Sequence, residues 1–411
     1  MTVEFDGEIH RAYAGEPLAV ALFASGVEVL SRSIKYHRPR AFFCLSGHCG
    51  ACLLRVDGVP NLRSCRVPCR DGLVARGQNA FPASDLDVLG AVDWLFPKGM
   101  DHHTLMTSFK PLNAVMQKVV RQLSGLGTLP DKPSADMPEV VRRTVELAVV
   151  GGGPAGLAAA TAAARAGLQV LCIDEQDDFG GSLLCQPGAG PDEGRRRAAE
   201  ARAAGVELLA PAAVLAFYPE ENLLAVAMPA GLLRLTAKKT LYATGAYDVC
   251  ASFTDNDRPG VFAARAVGTL LVRYGVLPGR QVLIAEHDGD TAYAAALAGA
   301  LAAAGVEATR VAEPLAGAHG GHWVTGAETA ARRYACDAIA VASRPSPASE
   351  AARSHGARVE LSGRAGGFAV VVDDKGRTSV PGVFACGDVT GFMGPAAAAE
   401  HGARVGRSAV S

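Results

Sequence analysis

Four cysteines in the first 70 residues, Cys44, Cys49, Cys52 and Cys65, carry the clearest chemical spacing in this sequence. They read C-x4-C-x2-C-x12-C. Three close cysteines followed by a distant fourth is the spacing of a 2Fe–2S loop, in which four thiolates converge on two irons. Gly47 and Gly50 fall between the ligands, where the backbone must wrap closely and aim its amides at sulfur. Asp57-Gly58 supplies a turn that returns Cys65 beside the loop. A structural zinc site and thiols with no shared ligand are the other readings. Zinc sites usually present two C-x-x-C pairs, and one exists here, Cys49 with Cys52. Cys69, four residues past Cys65, rivals it for the fourth position.

A second chemical signal lies between residues 145 and 175. A strand, Val145 to Val150, runs into Gly151-x-Gly153-x-x-Gly156, with Pro154 and Ala155 inside the motif, and then into an alanine helix. A further strand, Val170 to Ile173, ends at Asp174 and Glu175. The glycines allow a tight turn, close approach of a pyrophosphate and close helix–strand packing, and the helix N-terminus favours the phosphate charge. Asp174, 18 positions after Gly156, is placed to accept from the ribose hydroxyls of an adenosine. Two later segments help decide which dinucleotide this is. Val380 to Gly406 resembles the closing motif of two-dinucleotide-binding flavoproteins. That resemblance puts the Gly387-Asp388 carboxylate at the ribityl and pyrophosphate region and aims the helix of Pro395 and Ala396 at the flavin. Thr240 to Val249, with Thr244-Gly245, resembles the segment where such chains cross into their inserted domain. FAD explains both segments, whereas NAD alone leaves them idle.

The inserted domain should carry a fingerprint of its own. Its strand, Gln281 to Ala285, instead meets Glu286-His287-Asp288-Gly289-Asp290. Side chains at the first two glycine positions, Glu286 and Asp288, obstruct close approach, and three carboxylates repel a pyrophosphate. The expectation is that this domain does not take NAD(P)H. No C-x-x-C accompanies the flavin motifs, which argues against dithiol chemistry, and Cys386 reads as a buried strand thiol. His102 and His103 read as ordinary connector residues. The basic stretch Lys35 to Arg40 either screens the cluster, docks a partner or is a solvated face.

The elements that must position these residues divide the chain into parts. Residues 1–95 read as a small β-rich unit, with an Asp6-Gly7 hairpin signal and a short helix opened by Pro17 and closed by Gly26. Residues 96–142 read as a helical connector. Residues 143–260 form the first part of an FAD-binding domain, 261–358 an inserted NAD-like domain and 359–411 the closing part. Alternating apolar strands and alanine-rich helices predict a parallel sheet covered on both faces. The fold class is therefore an α/β two-dinucleotide-binding flavoprotein fold with an N-terminal β-grasp-like 2Fe–2S domain. The 411 residues hold 40 basic and 41 acidic side chains, so nothing global suggests nucleic acid or an anionic membrane. No charged-then-apolar leader opens the chain, and its longest apolar run is too short to span a bilayer. The expectation is a soluble cytoplasmic protein whose clustered cysteines bind metal.

Ser31 to Arg40 (SRSIKYHRPR), the four cysteines, and Val56 to Cys65 (VDGVPNLRSC) together resemble a known family. They are similar to the small 2Fe–2S domain of bacterial hydrogen cyanide synthase and opine oxidase systems, and to the N-terminal domain of sarcosine oxidase alpha subunits. Some of those subunits lack the cysteines; this sequence keeps all four. Leu45 departs from the glycine common after the first cysteine, which bears on loop geometry and not on ligation. The resemblance implies an electron-transfer subunit carrying FAD and a 2Fe–2S cluster. Its partner would be a flavoprotein beta subunit of the D-amino-acid oxidase class that oxidises a C–N bond. It leaves room for FMN at a subunit interface, a further small subunit and an external electron acceptor. In some sarcosine oxidase alpha relatives the first dinucleotide site holds NAD, so FAD and NAD both stay open there. Relative to those subunits this sequence stops after the flavoprotein domain, without a folate-binding half. Two other functions stand beside this one: a stand-alone NAD(P)H-dependent flavin reductase, and a non-catalytic assembly subunit.

Overall fold

Two Asp-Gly pairs set the first sheet. Strands β1 (Thr2–Phe5) and β2 (Glu8–Arg11) turn at Asp6 and Gly7, with φ of 48° and 91°. Strands β3 (Leu53–Val56) and β4 (Val59–Arg63) turn at Asp57 and Gly58, with φ of 48° and 81°. Two consecutive positive φ angles match the right-handed twist of a tight hairpin, and Asp-Gly tolerates both. β5 (Leu73–Arg76) runs parallel to β1 and antiparallel to β3, which gives the order β2-β1-β5-β3-β4. Helix α1 (Leu18–Ala24) buries Leu18, Ala19, Val20 and Leu22. This is the expected β-grasp-like arrangement.

The structure is a computed structural model, and it describes residues 1–34, 36–88, 111, 114, 138–287 and 291–410. The expected connector lies outside the described residues between 96 and 137, apart from Pro111 and Ala114. His102, His103, Lys35 and Asp288 to Asp290 lie outside them too. The described residues group into two compact units. One gathers 1–88, 250–286 and 301–341; the other gathers 138–249, 291–300 and 342–410.

The second unit is built on β6 (Glu139–Val150) and β7 (Val170–Ile173), joined through helix α2 (Pro154–Arg165). After helix α3 (Gly190–Ala203) come β8 (Glu207–Leu209), β9 (Ala213–Tyr218), β10 (Leu223–Met228) and β11 (Gly231–Tyr242). β11 runs parallel to β6 along its whole length, from Gly231 opposite Glu139 to Tyr242 opposite Val150. Its other edge pairs with β10 in the first half and with Val383–Ala385 in the second. Leu147, Ala148 and Val149 are fully buried, as an apolar strand covered on both faces should be.

The nucleotide-type fold of the first unit uses β12 (Val261–Ala263), β13 (Gln281–His287) and β14 (Glu307–Val311). A three-stranded antiparallel sheet follows, β15 (Leu315–Gly320), β16 (Val324–Thr329) and β17 (Arg333–Ala335), and then β18 (Ala338–Ser343). The order of the larger sheet is β12-β18-β13-β14. Helix α4 (Thr291–Ala303) follows β13, and helix α5 (Pro395–Ser408) closes the chain. Among the described residues, no helix is long and apolar enough to cross a membrane.

Candidate functional site

The cysteine loop hangs between α1 and β3, and its thiols fall into two pairs. Cys44 shares a hydrogen bond with Cys49, and Cys52 shares one with Cys65. In each pair the partner's S–H stabilises a thiolate. Cys44 and Cys52 are therefore held below the ordinary thiol range, while Cys49 and Cys65 are pushed up by donating that proton. Cys65 also feels the charge of Cys52, Cys44 and Cys49, so all four sulfurs share one neighbourhood. Backbone amides add to it: Ser46 N and Cys49 N lie 3.5 and 3.4 Å from Cys44 Sγ, and Ala51 N lies 3.5 Å from Cys49 Sγ. Cys44, Cys52 and Cys65 are buried and Cys49 is exposed.

Four cysteines in two pairs, amides aimed at sulfur and a mostly buried setting fit a 2Fe–2S cluster, which these four side chains would hold. Among the described residues, no three His, Cys, Asp or Glu side chains close on a single-ion position. Cys69 stands apart from the quartet. Burial and then the Glu16 charge push its thiol up to about 11, with no cysteine among the causes. Gly47 and Gly50 take positive φ angles of 88° and 66°, and Leu45 takes 51°. Leu45 thus adopts the left-handed conformation for which glycine has no steric cost, at a penalty of about 1 kcal/mol.

The basic stretch ahead of the cysteines finds its partners in the same unit. Arg38 donates to Asp255 at 2.5 Å and Asp257 at 2.8 Å, and Arg40 pairs with Asp257 at 2.9 Å. Sequence reasoning missed this because the two carboxylates lie more than 200 residues away and carry no motif.

The first glycine turn follows β6. A Cβ on Gly151 would stand 2.3 Å from Ala243 O, and one on Gly156 would stand 1.8 Å from Gly151 O. Neither position accepts a side chain. Gly153 begins α2 in extended backbone with no side-chain cap, so the first amides of the helix meet no capping side chain. Asp174 is buried, and its carboxylate binds the turn: Oδ2 accepts from Gly152 N at 2.6 Å and Oδ1 from Gln176 N at 2.7 Å. Glu175, the next residue, is exposed. Gly180 and Gly181, which sequence reasoning passed over, complete the turn. Gly180 N donates to Gly152 O at 2.9 Å, and a Cβ on Gly181 would meet Gly153 Cα at 2.7 Å. The pair Gly-Gly six residues after Asp174 was the available signal.

The closing segment returns to the same turn. Gly387 has φ of 75°, and a Cβ there would lie 2.6 Å from Ala155 Cβ. Gly402 and Gly406 bring α5 onto α2, where Cβ atoms would stand 2.1 Å from Ala155 O and 2.2 Å from Ala159 O. Pro154, Ala155, Gly156, Gly387 and α5 are therefore brought together. Asp388 is buried, and its Oδ1 accepts from Met393 N at 3.0 Å and Gly394 N at 3.3 Å, which shapes the entry to α5. Ala396 is exposed in the first turn of that helix. Thr244 Oγ1 donates to Ala348 O at 2.6 Å, and Gly245 O accepts from Ala348 N at 3.0 Å, tying down the crossing segment. Tyr242, just before that segment, is fully buried with its hydroxyl 2.8 Å from His355 Nδ1. His355 stacks on Phe217, and burial lowers its pKa to about 4. Cys386 is fully buried and pushed up to about 12 by that burial, as a structural thiol.

The second turn is different. β13 runs on through Glu286 and His287, past the expected end at Ala285. Glu286 takes the first glycine position, its side chain is only 8 % exposed, and its Oε1 accepts from Arg310 Nε of β14 at 2.6 Å.

Three known protein families match parts of the chain. Residues 1–80 match the 2Fe-2S iron-sulfur cluster binding domain family, 146–249 the FAD dependent oxidoreductase family, and 276–403 the pyridine nucleotide-disulphide oxidoreductase family. The sarcosine oxidase subunit alpha of Rhizobium meliloti is 34% identical over 346 residues, covering 77% of this chain and 35% of that protein. The chain thus spans about a third of the length of that relative. Hydrogen cyanide synthase subunit HcnA of Pseudomonas aeruginosa is 34% identical over 73 residues, 18% of this chain and 69% of that protein. Among solved structures, L-proline dehydrogenase from P. horikoshii superposes with a TM-score of 0.77 at 22% identity, over 99% of this chain and 72% of its own. Thioredoxin reductase from T. acidophilum does so with 0.52 at 20% identity, over 65% and 98%. These last two speak to the fold alone, that of two-dinucleotide-binding flavoproteins. The cofactors of the chain are FAD and a 2Fe–2S cluster.

Proposed function

We propose, for a chain that belongs to the sarcosine oxidase alpha-subunit-like flavoproteins with a fused 2Fe–2S domain, that it is the electron-transfer subunit of a heteromeric dehydrogenase or oxidase. The substrate would be an amino acid, an opine or a related secondary amine. Its C–N bond would be oxidised on a partner flavoprotein of the D-amino-acid oxidase class, with FMN at the subunit interface as an optional further carrier. Electrons would leave this chain for an external acceptor. The observation that carries the reading is Glu286, which stands half-buried at the first glycine position of the second nucleotide fold, bonded to Arg310 at 2.6 Å. A pyrophosphate there would face a carboxylate in place of open backbone amides, which supports a source of electrons other than NAD(P)H.

FAD supplies electron exchange in pairs or singly, and the 2Fe–2S cluster supplies it singly. Cys44, Cys49, Cys52 and Cys65 would hold the irons, and the amides of Ser46, Cys49 and Ala51 would hold negative charge at sulfur. Gly151, Gly153, Pro154, Ala155 and Gly156 would receive the pyrophosphate on open backbone, with Asp174 bracing the turn through Gly152 N. Glu175, exposed beside it, is the carboxylate we assign to the ribose. Thr244 and Gly245 would line the crossing segment, and Gly387, Asp388 and Ala396 the flavin end, where α5 adds the positive end of its dipole. Ten cysteines, none of them in a disulfide, suit a reducing cytoplasm.

The test is electron flow in the complex purified with its own partner. Cys52→Ser should stop substrate-dependent reduction of the external acceptor while the partner's flavin still bleaches on adding substrate. Unchanged acceptor reduction would leave this chain as an assembly subunit.

A further inference from the structure

Four aromatic side chains from two distant stretches of the first unit close on one another. They are Phe23 of α1, Phe42 two residues ahead of Cys44, Phe262 of β12 and Trp323 between β15 and β16. Phe42 stacks on Phe262 with ring centroids 5.0 Å apart and planes at 27°. Phe23 meets Phe42 edge-on at 5.4 Å and lies along Trp323 at 5.8 Å. Phe42 and Phe262 are buried. Beside this box, Ala263 N donates to Phe43 O at 3.0 Å, which joins β12 to the peptide immediately before Cys44. At its rim, Arg38 and Arg40 grip Asp255 and Asp257, and Arg258 braces Asp255 at 2.5 Å. Arg32, a buried cation, reaches His322 Nε2 at 3.4 Å.

We infer that the inserted fold, having lost its phosphate turn, serves as the anchorage of the iron–sulfur domain and fixes the peptide that carries Cys44. This rests on the reading that the four cysteines hold the cluster. Single exposed ion pairs do little. Here the aromatic box supplies burial and the forked Arg–Asp contacts supply register, so the two stretches meet in one arrangement. The potential of a cluster depends on the hydrogen bonds to its sulfurs. Those at Cys44 come from Ser46 and Cys49, on the loop that this peptide begins. Phe262 and Asp257 are accordingly positioning residues for a centre about 200 residues away in sequence. The iron–sulfur domain is then a fixed relay and not a swinging carrier, open to a partner at the exposed Cys49.

The experiment is an EPR-monitored redox titration of the full chain, with iron and flavin contents measured on each sample. The variants are Phe262→Ala and, as a gentler change, Asp257→Asn. With flavin content unchanged, both should shift the g-values and midpoint potential of the cluster or lose iron, and Phe262→Leu should return towards wild type. If Phe262→Ala does not fold, Asp257→Asn decides. Wild-type spectrum, potential and iron content in the variants that fold would overturn the anchorage. A wild-type protein with no 2Fe–2S signal would instead remove the cysteine reading beneath it.

Discussion

The stretch after β6 and the stretch after Ala285 of β13 begin alike, each entered by a buried apolar strand and followed in sequence by an alanine-rich helix, and they differ from the first glycine position onward. After β6 stands Gly151, with a carbonyl 2.3 Å from where a Cβ would go; after Ala285 of β13 stands Glu286, paired with Arg310. In the first turn a carboxylate also appears, Asp174, but it lies behind the loop and bonds to Gly152 N. Placed behind, the acid bonds a turn amide and leaves the glycine backbone open; placed at the first glycine, it puts a side chain where close approach of a phosphate requires none. On the function proposed above, the position of one carboxylate separates the FAD turn from a turn that takes no nucleotide.

The comparison can be broken most severely at Gly156. A valine there would drive its side chain into Gly151 O, 1.8 Å from the Cβ position, so Gly156→Val should cost several kcal/mol and strip the flavin. Flavin absorbance per chain should fall at least tenfold, while the cluster signal of the separate N-terminal fold persists. A flavin-replete Gly156→Val protein would mean that the first turn is not the FAD site.

A second test uses pH, because the strand leading to the crossing segment is propped by His355. Burial lowers the pKa of this imidazole to about 4, against about 6.5 when unfolded. The unfolded chain therefore takes up the proton first. Stability is complete above about pH 6.5 and is lost as pH falls towards 4. Thermal melts across that window should show this slope, and His355→Phe should flatten it.

At the turn after β13, Glu286→Ala leaves Arg310, which is 41 % exposed and can be hydrated, so only a small loss of stability is expected. Denaturant midpoints would measure it, and NADH binding should remain absent. The smallest effect is expected at Leu45. Leu45→Gly removes a left-handed penalty of about 1 kcal/mol but adds unfolded-state entropy of similar size. The melting temperature of the iron–sulfur domain should therefore move by only a degree or two, with the four ligands unaffected.

Much of this was legible in the sequence where a local rule was strong. Asp6-Gly7 and Asp57-Gly58 could only be tight turns, and they are. The three fingerprint glycines each proved sterically required or first in the helix. What stayed hidden depends on partners far along the chain. β6 starts at Glu139, not Val145, because β11 pairs with it along twelve residues. The separation of Cys69 from its four neighbours follows from how the residues after β4 fold, which spacing does not encode. The Arg38–Asp257 grip needed both ends to be seen together.

The most direct test of the account is anaerobic visible and EPR spectroscopy of the purified chain with NADH, NADPH and dithionite added separately. The account predicts a flavin spectrum and a 2Fe–2S signal that dithionite produces and neither nicotinamide affects. Prompt bleaching of the flavin by NADH or NADPH would contradict it and make the chain a reductase, with Glu286 no barrier to a nucleotide.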